Sequence, residues 1–413
     1  MKRGAVTRQA EAPTRSRWVL LGPAFVAAIA YVDPGNVAAN VSAGAQFGFL
    51  LLWVIVAANL MACLVQYLSA KLGLVSGMSL PEAVGGRMGR PTRLAYWLQA
   101  ELVAMATDLA EVVGGAIALY LLFDLPLLVG GVITGAVSLV LLLVKDQRGQ
   151  RMFERVITGL LLVIAIGFLT SLFASPPPVD DTVAGLLPRF DGPESVLLAA
   201  AMLGATVMPH AVYLHSGLAR DRHGHPEPGP TRRMLLRVTR WDVGIAMLVA
   251  GAVNLSMLLV AATNLQGVEN TDSIEGAHAA VQTALGPTVA LLFAIGLLAS
   301  GLASSSVGAY AGAMIMQGLI RRSVPLITRR LITLLPALAV LAAGVDPSRA
   351  LVLSQVVLSF GIPFALIPLV RLTADARLMG DDVNHRLTTT LGWIVAGLIT
   401  LLNVVLIYLT LTG

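Results

Sequence analysis

Eleven apolar runs fill most of the chain, each about 18 residues or more, the length an α-helix needs to cross a bilayer. They lie at approximately 18–46, 48–70, 95–122, 126–144, 153–174, 195–219, 241–263, 284–317, 327–344, 349–370 and 390–411. Only 12% of the 413 residues are charged, against about 25% in soluble domains. The expected fold is an all-α polytopic membrane protein of eleven transmembrane helices forming a single domain over 1–413. Loop charge supports the count. If alternate loops share a side, 26 of the 28 Lys and Arg residues fall on one side, and only Arg189 and Arg349 on the other. The positive-inside rule then puts the N-terminal tail, 1–17, in the cytoplasm and the C-terminus outside. A multi-pass protein of the cell inner membrane, with the lipid bilayer as its surroundings, is the expectation. The net charge of +5 belongs to these loops, so no nucleic-acid surface is implied. No obligate protein partner is evident. The single cysteine, Cys63, excludes a disulfide framework or a cysteine metal cluster.

Two runs are broken by polar residues and proline: "YVDPGNVAAN" in the first and "MLGATVMPHAVYLHS" in the sixth. Asp33 and Met208 are 175 residues apart, and each break opens a block of five spans. Span one runs outward and span six inward, which predicts a five-plus-five inverted repeat. Its first half covers 18–174, its second 195–370, and helix 390–411 is appended. Paired interrupted helices in two inverted halves point to a transporter's midplane site. No P-loop is present, so the energy source is a gradient rather than ATP.

The breaks carry ligand chemistry. Helices that end inside the membrane leave carbonyls free, and their C-terminal ends are partially negative. Asp33 and Asn36 offer hard oxygens, and a carbonyl near Ala205 offers another. Met208 offers a soft thioether, which Mg²⁺ and Ca²⁺ do not seek, so it suggests transition-metal selection. With 14 methionines in the chain, apolar filler is the competing account of Met208.

With "DPGN", "MPH", "TDLAEV" (107–112) and "SQVVLSFGIPFALIPL" (354–369), nearly the whole chain resembles the Nramp family of proton-coupled divalent-metal transporters. The resemblance implies a LeuT-like fold with helices 1 and 6 unwound at the midplane. It also implies metal ligands Asp33, Asn36, the Ala205 carbonyl, Met208 and, in some conformations, Gln355. Mn²⁺ and Fe²⁺, with H⁺, are then transported substrates and not cofactors, and no enzyme activity is expected. The alternative is a Na⁺-coupled amino-acid or amine symporter of the same fold. Such a site needs a free helix N-terminus facing a substrate carboxylate, without an acid beside it, and Asp33 argues against that.

The third span holds Glu101, Asp108 and Glu111. At 100° per residue Asp108 lies about 20° from Glu101, and Glu111 about 60° from Asp108, so the three share a face. Intramembrane acids of this kind mark proton relays. Arg330 is the candidate partner of Asp108 or Glu111. His210, directly after the second break, is a candidate proton carrier because histidine titrates in the physiological range. Asp33 joins them, since a bound metal displaces its proton. A static Asp–Arg lock, and a His210 that only serves a freed carbonyl, fit the same residues.

Overall fold

The computed structural model describes residues 22–412, except 269, 270, 272, 322 and 323. The expected tail at 1–17, the start of the first span at 18–21 and Arg322 lie outside the described residues. The described elements are all helical. The first run is split into α1 (Pro23–Ile29), a 3-10 turn (Ala30–Val32) and α2 (Pro34–Phe47). Then come α3 (Leu52–Ser76), α4 (Leu80–Gly85), α5 (Arg90–Phe123), α6 (Leu127–Arg148), α7 (Gln150–Ala174) and α8 (Val179–Ala184). The sixth run is split into α9 (Gly192–Thr206) and α10 (Pro209–His223). The remainder is α11 (Pro230–Asn264), α12 (Ile274–Leu285), α13 (Pro287–Ile320), α14 (Leu326–Ala342), α15 (Pro347–Thr373), α16 (Ala376–Met379) and α17 (Arg386–Thr412).

Proline at the first helical position starts α1, α2, α10 and α15, where its missing N–H costs nothing and its fixed φ suits the helix. Among the described residues, eight helical segments are long and apolar enough to cross a membrane. Three of the eleven expected runs are not among them. The first is cut by its break and the ninth is the 17-residue α14; the fourth is the 22-residue α6, whose described side chains cover Leu127–Leu143. The stretch 176–181 contains the start of α8, with Asp180 and Asp181 in its first turn facing the positive helix end. The stretch 220–230 begins with the last turn of α10, which is rich in Arg220, Arg222 and His223, a favourable composition at a helix C-terminus.

Burial orders the bundle. The Gly192–His223 span is 94% buried over its most apolar window, whereas the α17 span is 33% buried, so the broken span is central and α17 peripheral. α13 packs on α5 and α7, α11 on α2 and α3, α10 on α3, and α15 on α9 and α5. The N-terminus of α1 has no side-chain cap of its own. Asp242 of α11 supplies one, accepting from Gly22 N at 3.1 Å and Ala24 N at 3.0 Å.

Candidate metal-ion site

At the first break the chain turns extended at Asp33 (φ −72°, ψ 169°), which becomes the N-cap of α2. One carboxylate oxygen, Oδ1, accepts from Asn36 N at 2.7 Å and Asn36 Nδ2 at 2.9 Å. The other, Oδ2, is buried without a hydrogen-bond partner. The two oxygens therefore divide the work: one holds the helix, and one is available to a ligand. The carbonyls expected to be free before Asp33 are not. Asn254 Nδ2 donates to Tyr31 O at 2.8 Å, and Ser300 Oγ to Val32 O at 2.5 Å.

The second break follows the same plan. α9 ends at Thr206, Met208 is extended (φ −65°, ψ 123°) as the N-cap of α10, and Pro209 starts the next helix. Here a carbonyl does face the first break. Ala205 O accepts from Asn36 Nδ2 at 2.9 Å, and Thr206 Oγ1 donates to Asn36 Oδ1 at 3.4 Å. Asn36 thus ties the two breaks together, its amide standing between two oxygens, Asp33 Oδ1 and Ala205 O, as a cation would.

Gln355 of α15 closes the group. A Cβ on Gly35 would lie 1.8 Å from Gln355 Nε2, and one on Gly204 would lie 2.0 Å from Gln355 O. Only glycine at these positions, one in each broken span, lets α15 come so close. Gln355 Nε2 donates to Ser354 Oγ at 3.1 Å, while Oε1 is buried without a partner. Asp33, Asn36, Met208 and Gln355 are all fully buried. Among the described residues no three His, Cys, Asp or Glu side chains cluster as a metal group. The donor set here is a single carboxylate with amides, a carbonyl and a thioether. One anionic ligand suits a cation that is taken up and released rather than a closed structural site built from several thiolates, imidazoles or carboxylates.

The acidic helix α5 runs against this group: a Cβ on Gly114 would lie 1.9 Å from Pro34 Cβ. Arg330 pairs with Asp108 at 2.7 Å, donates to Ser138 Oγ at 3.1 Å and also holds Ser305. Glu101 finds a partner not anticipated from sequence, Arg329, at 2.7 Å. Glu111 is buried against Gly308, and its Oε2 has no partner. His210 places Nδ1 3.3 Å from Thr107 Oγ1 of α5 and leaves Nε2 unpartnered. It does not serve a freed carbonyl. His215 lies elsewhere, 2.6 Å from Gln66 Oε1, and the Gln66 amide donates to Tyr31 OH.

The profile of the Natural resistance-associated macrophage protein-like family, Nramp, matches residues 24–409. The chain belongs to the Nramp family. Among relatives of this Nramp chain is the divalent metal cation transporter MntH of Mycobacterium tuberculosis. It is 72% identical over 412 residues, covering 100% of this chain and 96% of the relative. Among solved structures, the Eremococcus coleocola manganese transporter, in complex with an aromatic bis-isothiourea compound, superposes with a TM-score of 0.85. It is 32% identical, covering 96% of this chain and 88% of that one. At the level of fold alone, the likeness extends to the nucleobase-cation-symport-1 family transporter Mhp1. There the TM-score is 0.59 at 17% identity, covering 95% and 93% of the two chains. The LeuT-like fold implied by the sequence is in keeping with that.

Several residues around the candidate site escaped sequence reading. Asn254 and Ser300 are polar groups on the long apolar helices α11 and α13, and Arg329 stands beside Arg330 in the first turn of α14, with no local motif. Ser305, within the serine run Ser304–Ser306 of α13, likewise makes a specific contact, to Arg330. A polar residue that recurs on the inward face of an otherwise apolar span is the signal that would have found them.

Proposed function

We propose that this Nramp chain imports divalent transition-metal ions, Mn²⁺ and also Fe²⁺, across a cell inner membrane. Inward proton movement drives it by alternating access. The observation that supports this best is Asp33 Oδ2, a buried carboxylate oxygen without a partner between two interrupted helices. The metal ligands are Asp33, Asn36, the Ala205 carbonyl, Met208 and Gln355. Binding requires Asn36 to turn its amide over, so that Oδ1 replaces Nδ2 between Asp33 and Ala205. Asp33, Asp108, Glu111, His210, Arg330 and Glu101 make up the proton route. Eleven spans in a five-plus-five inverted arrangement, with the N-terminus cytoplasmic, complete the reading.

The direct test is Mn²⁺ uptake into proteoliposomes. Acid outside should stimulate uptake, Fe²⁺ should compete, and a large excess of Mg²⁺ or Ca²⁺ should not. Uptake indifferent to the proton gradient, or blocked equally by Mg²⁺, overturns the proposal.

Two substitutions refine it. Met208→Ala should make Ca²⁺ and Mg²⁺ about tenfold better competitors, because the soft ligand that they do not use is gone. An unchanged competition profile would make Met208 filler. Gly35→Ala puts a methyl group into Gln355 Nε2. Overpacking costs about 1–3 kcal/mol, and here it displaces a ligand, so Mn²⁺ affinity should fall about tenfold. In a Gln355→Ala background the methyl has room, and the further loss should vanish. An equal loss in both backgrounds places the effect elsewhere.

A further inference from the structure

α15 contains two internal prolines, Pro363 and Pro368. Each removes the N–H that would bond the carbonyl four residues earlier, which orphans Ser359 O and Phe364 O. Inside a membrane such carbonyls need a partner from the protein. Both have one. Asn403 Nδ2 of α17 donates to Ser359 O at 2.8 Å, and Ser359 Oγ returns a bond to Asn403 Oδ1 at 2.7 Å. Tyr213 OH of α10 donates to Phe364 O at 3.3 Å. All three side chains are buried. The two donors come from different helices, and each lands on a carbonyl that a proline has released.

The first of these carbonyls is one turn beyond Gln355. That turn also touches the second break. A Cβ on Gly204 would lie 2.0 Å from Gln355 O and 2.9 Å from Ser359 N. The backbone that Pro363 leaves unpaired is thus contiguous with the turn that carries Gln355 against Gly35 and Gly204.

We propose that Asn403 and Tyr213 are positioning residues: they hold the two proline bends of α15 and so fix the register of Gln355 in the metal site. α17, which lies outside the ten-helix repeat, acts on the site through Asn403. The inference rests on the metal-import reading for its consequence, though not for its geometry.

A double-mutant cycle tests it. Asn403→Leu removes the donor while keeping the side-chain shape, and Pro363→Ala restores the N–H that Ser359 O lacks. In detergent-purified protein, Asn403→Leu should lower Tm by about 3 °C, because a buried carbonyl loses its partner. In the Pro363→Ala background the drop should be under about 1 °C. Tyr213→Phe with Pro368→Ala should behave likewise and serves independently if Pro363→Ala does not fold. In proteoliposomes, Asn403→Leu should raise KM for Mn²⁺ about fivefold with Vmax held within about twofold. Equal Tm drops in both backgrounds, or an unchanged KM, reduce Asn403 to helix packing and overturn the proposal. The Tm cycle does not depend on cargo. Coupled Tm values in a chain that moves no Mn²⁺ would support the bends and remove the metal reading. Additive Tm values in a chain that imports Mn²⁺ would keep the metal reading and overturn this one.

Discussion

Asp33→Asn is expected to leave the protein folded and to lower Mn²⁺ uptake at least about 100-fold, a loss equivalent to about 2.7 kcal/mol or more. The two halves of this expectation come from the two oxygens of one carboxylate. Oδ1 caps α2 through Asn36 N at 2.7 Å, and asparagine caps helices about as well as aspartate, so the fold keeps its bond. Oδ2, which has no partner, becomes an amide that cannot balance a divalent charge in a buried site. The measurement is uptake together with gel-filtration profile and Tm. A folded variant with uptake within a few fold of the parent would remove Asp33 from the site.

Arg330→Met is expected to be the most destabilising single change near the site. Arg330 and Asp108 pair at 2.7 Å with side chains 2% and 4% exposed. Removing one partner of a buried pair strands the other charge, which costs about 3–5 kcal/mol. Folded proteins hold only about 5–15 kcal/mol in total, so the yield of monodisperse protein should fall sharply. Adding Asp108→Asn removes the stranded charge and should recover most of the yield. Arg330→Met as stable as the parent would show that Asp108 is not held by this pair. The folded double variant then tests the relay: Mn²⁺ uptake that no longer responds to acid outside supports Asp108 as a proton group. An intact response moves the route to Glu111 and His210.

Some of this was legible because it is local. "DPGN" and "VMPH" each place a proline beside a polar or soft side chain in an apolar run, and the helix is interrupted at both. Arg330 was legible as the partner of an acid on the third span, but Asp108 and Glu111 both stood open, and the structure pairs it with Asp108. What stayed hidden is what one helix does for another. That Pro363 orphans Ser359 O follows from the sequence. That Asn403, 44 residues further on, fills it does not. Likewise a broken helix must free the carbonyls of Tyr31 and Val32, yet nothing local names Asn254 or Ser300 as their partners. Of the carbonyls expected to be free, Tyr31 O and Val32 O are taken by Asn254 and Ser300, and Ala205 O holds the Asn36 amide across the two breaks.

α1 has a property of this borrowed kind. A helix of 7 residues, buried along most of its length, is held by what it packs against more than by its own propensity. Its opening amides are bound by a carboxylate that belongs to α11. The bolt is on the frame and not on the door. Any displacement of α1 from α11 unbinds Gly22 N and Ala24 N and uncovers Asp242 in one step. For this half-helix, moving and fraying are a single event.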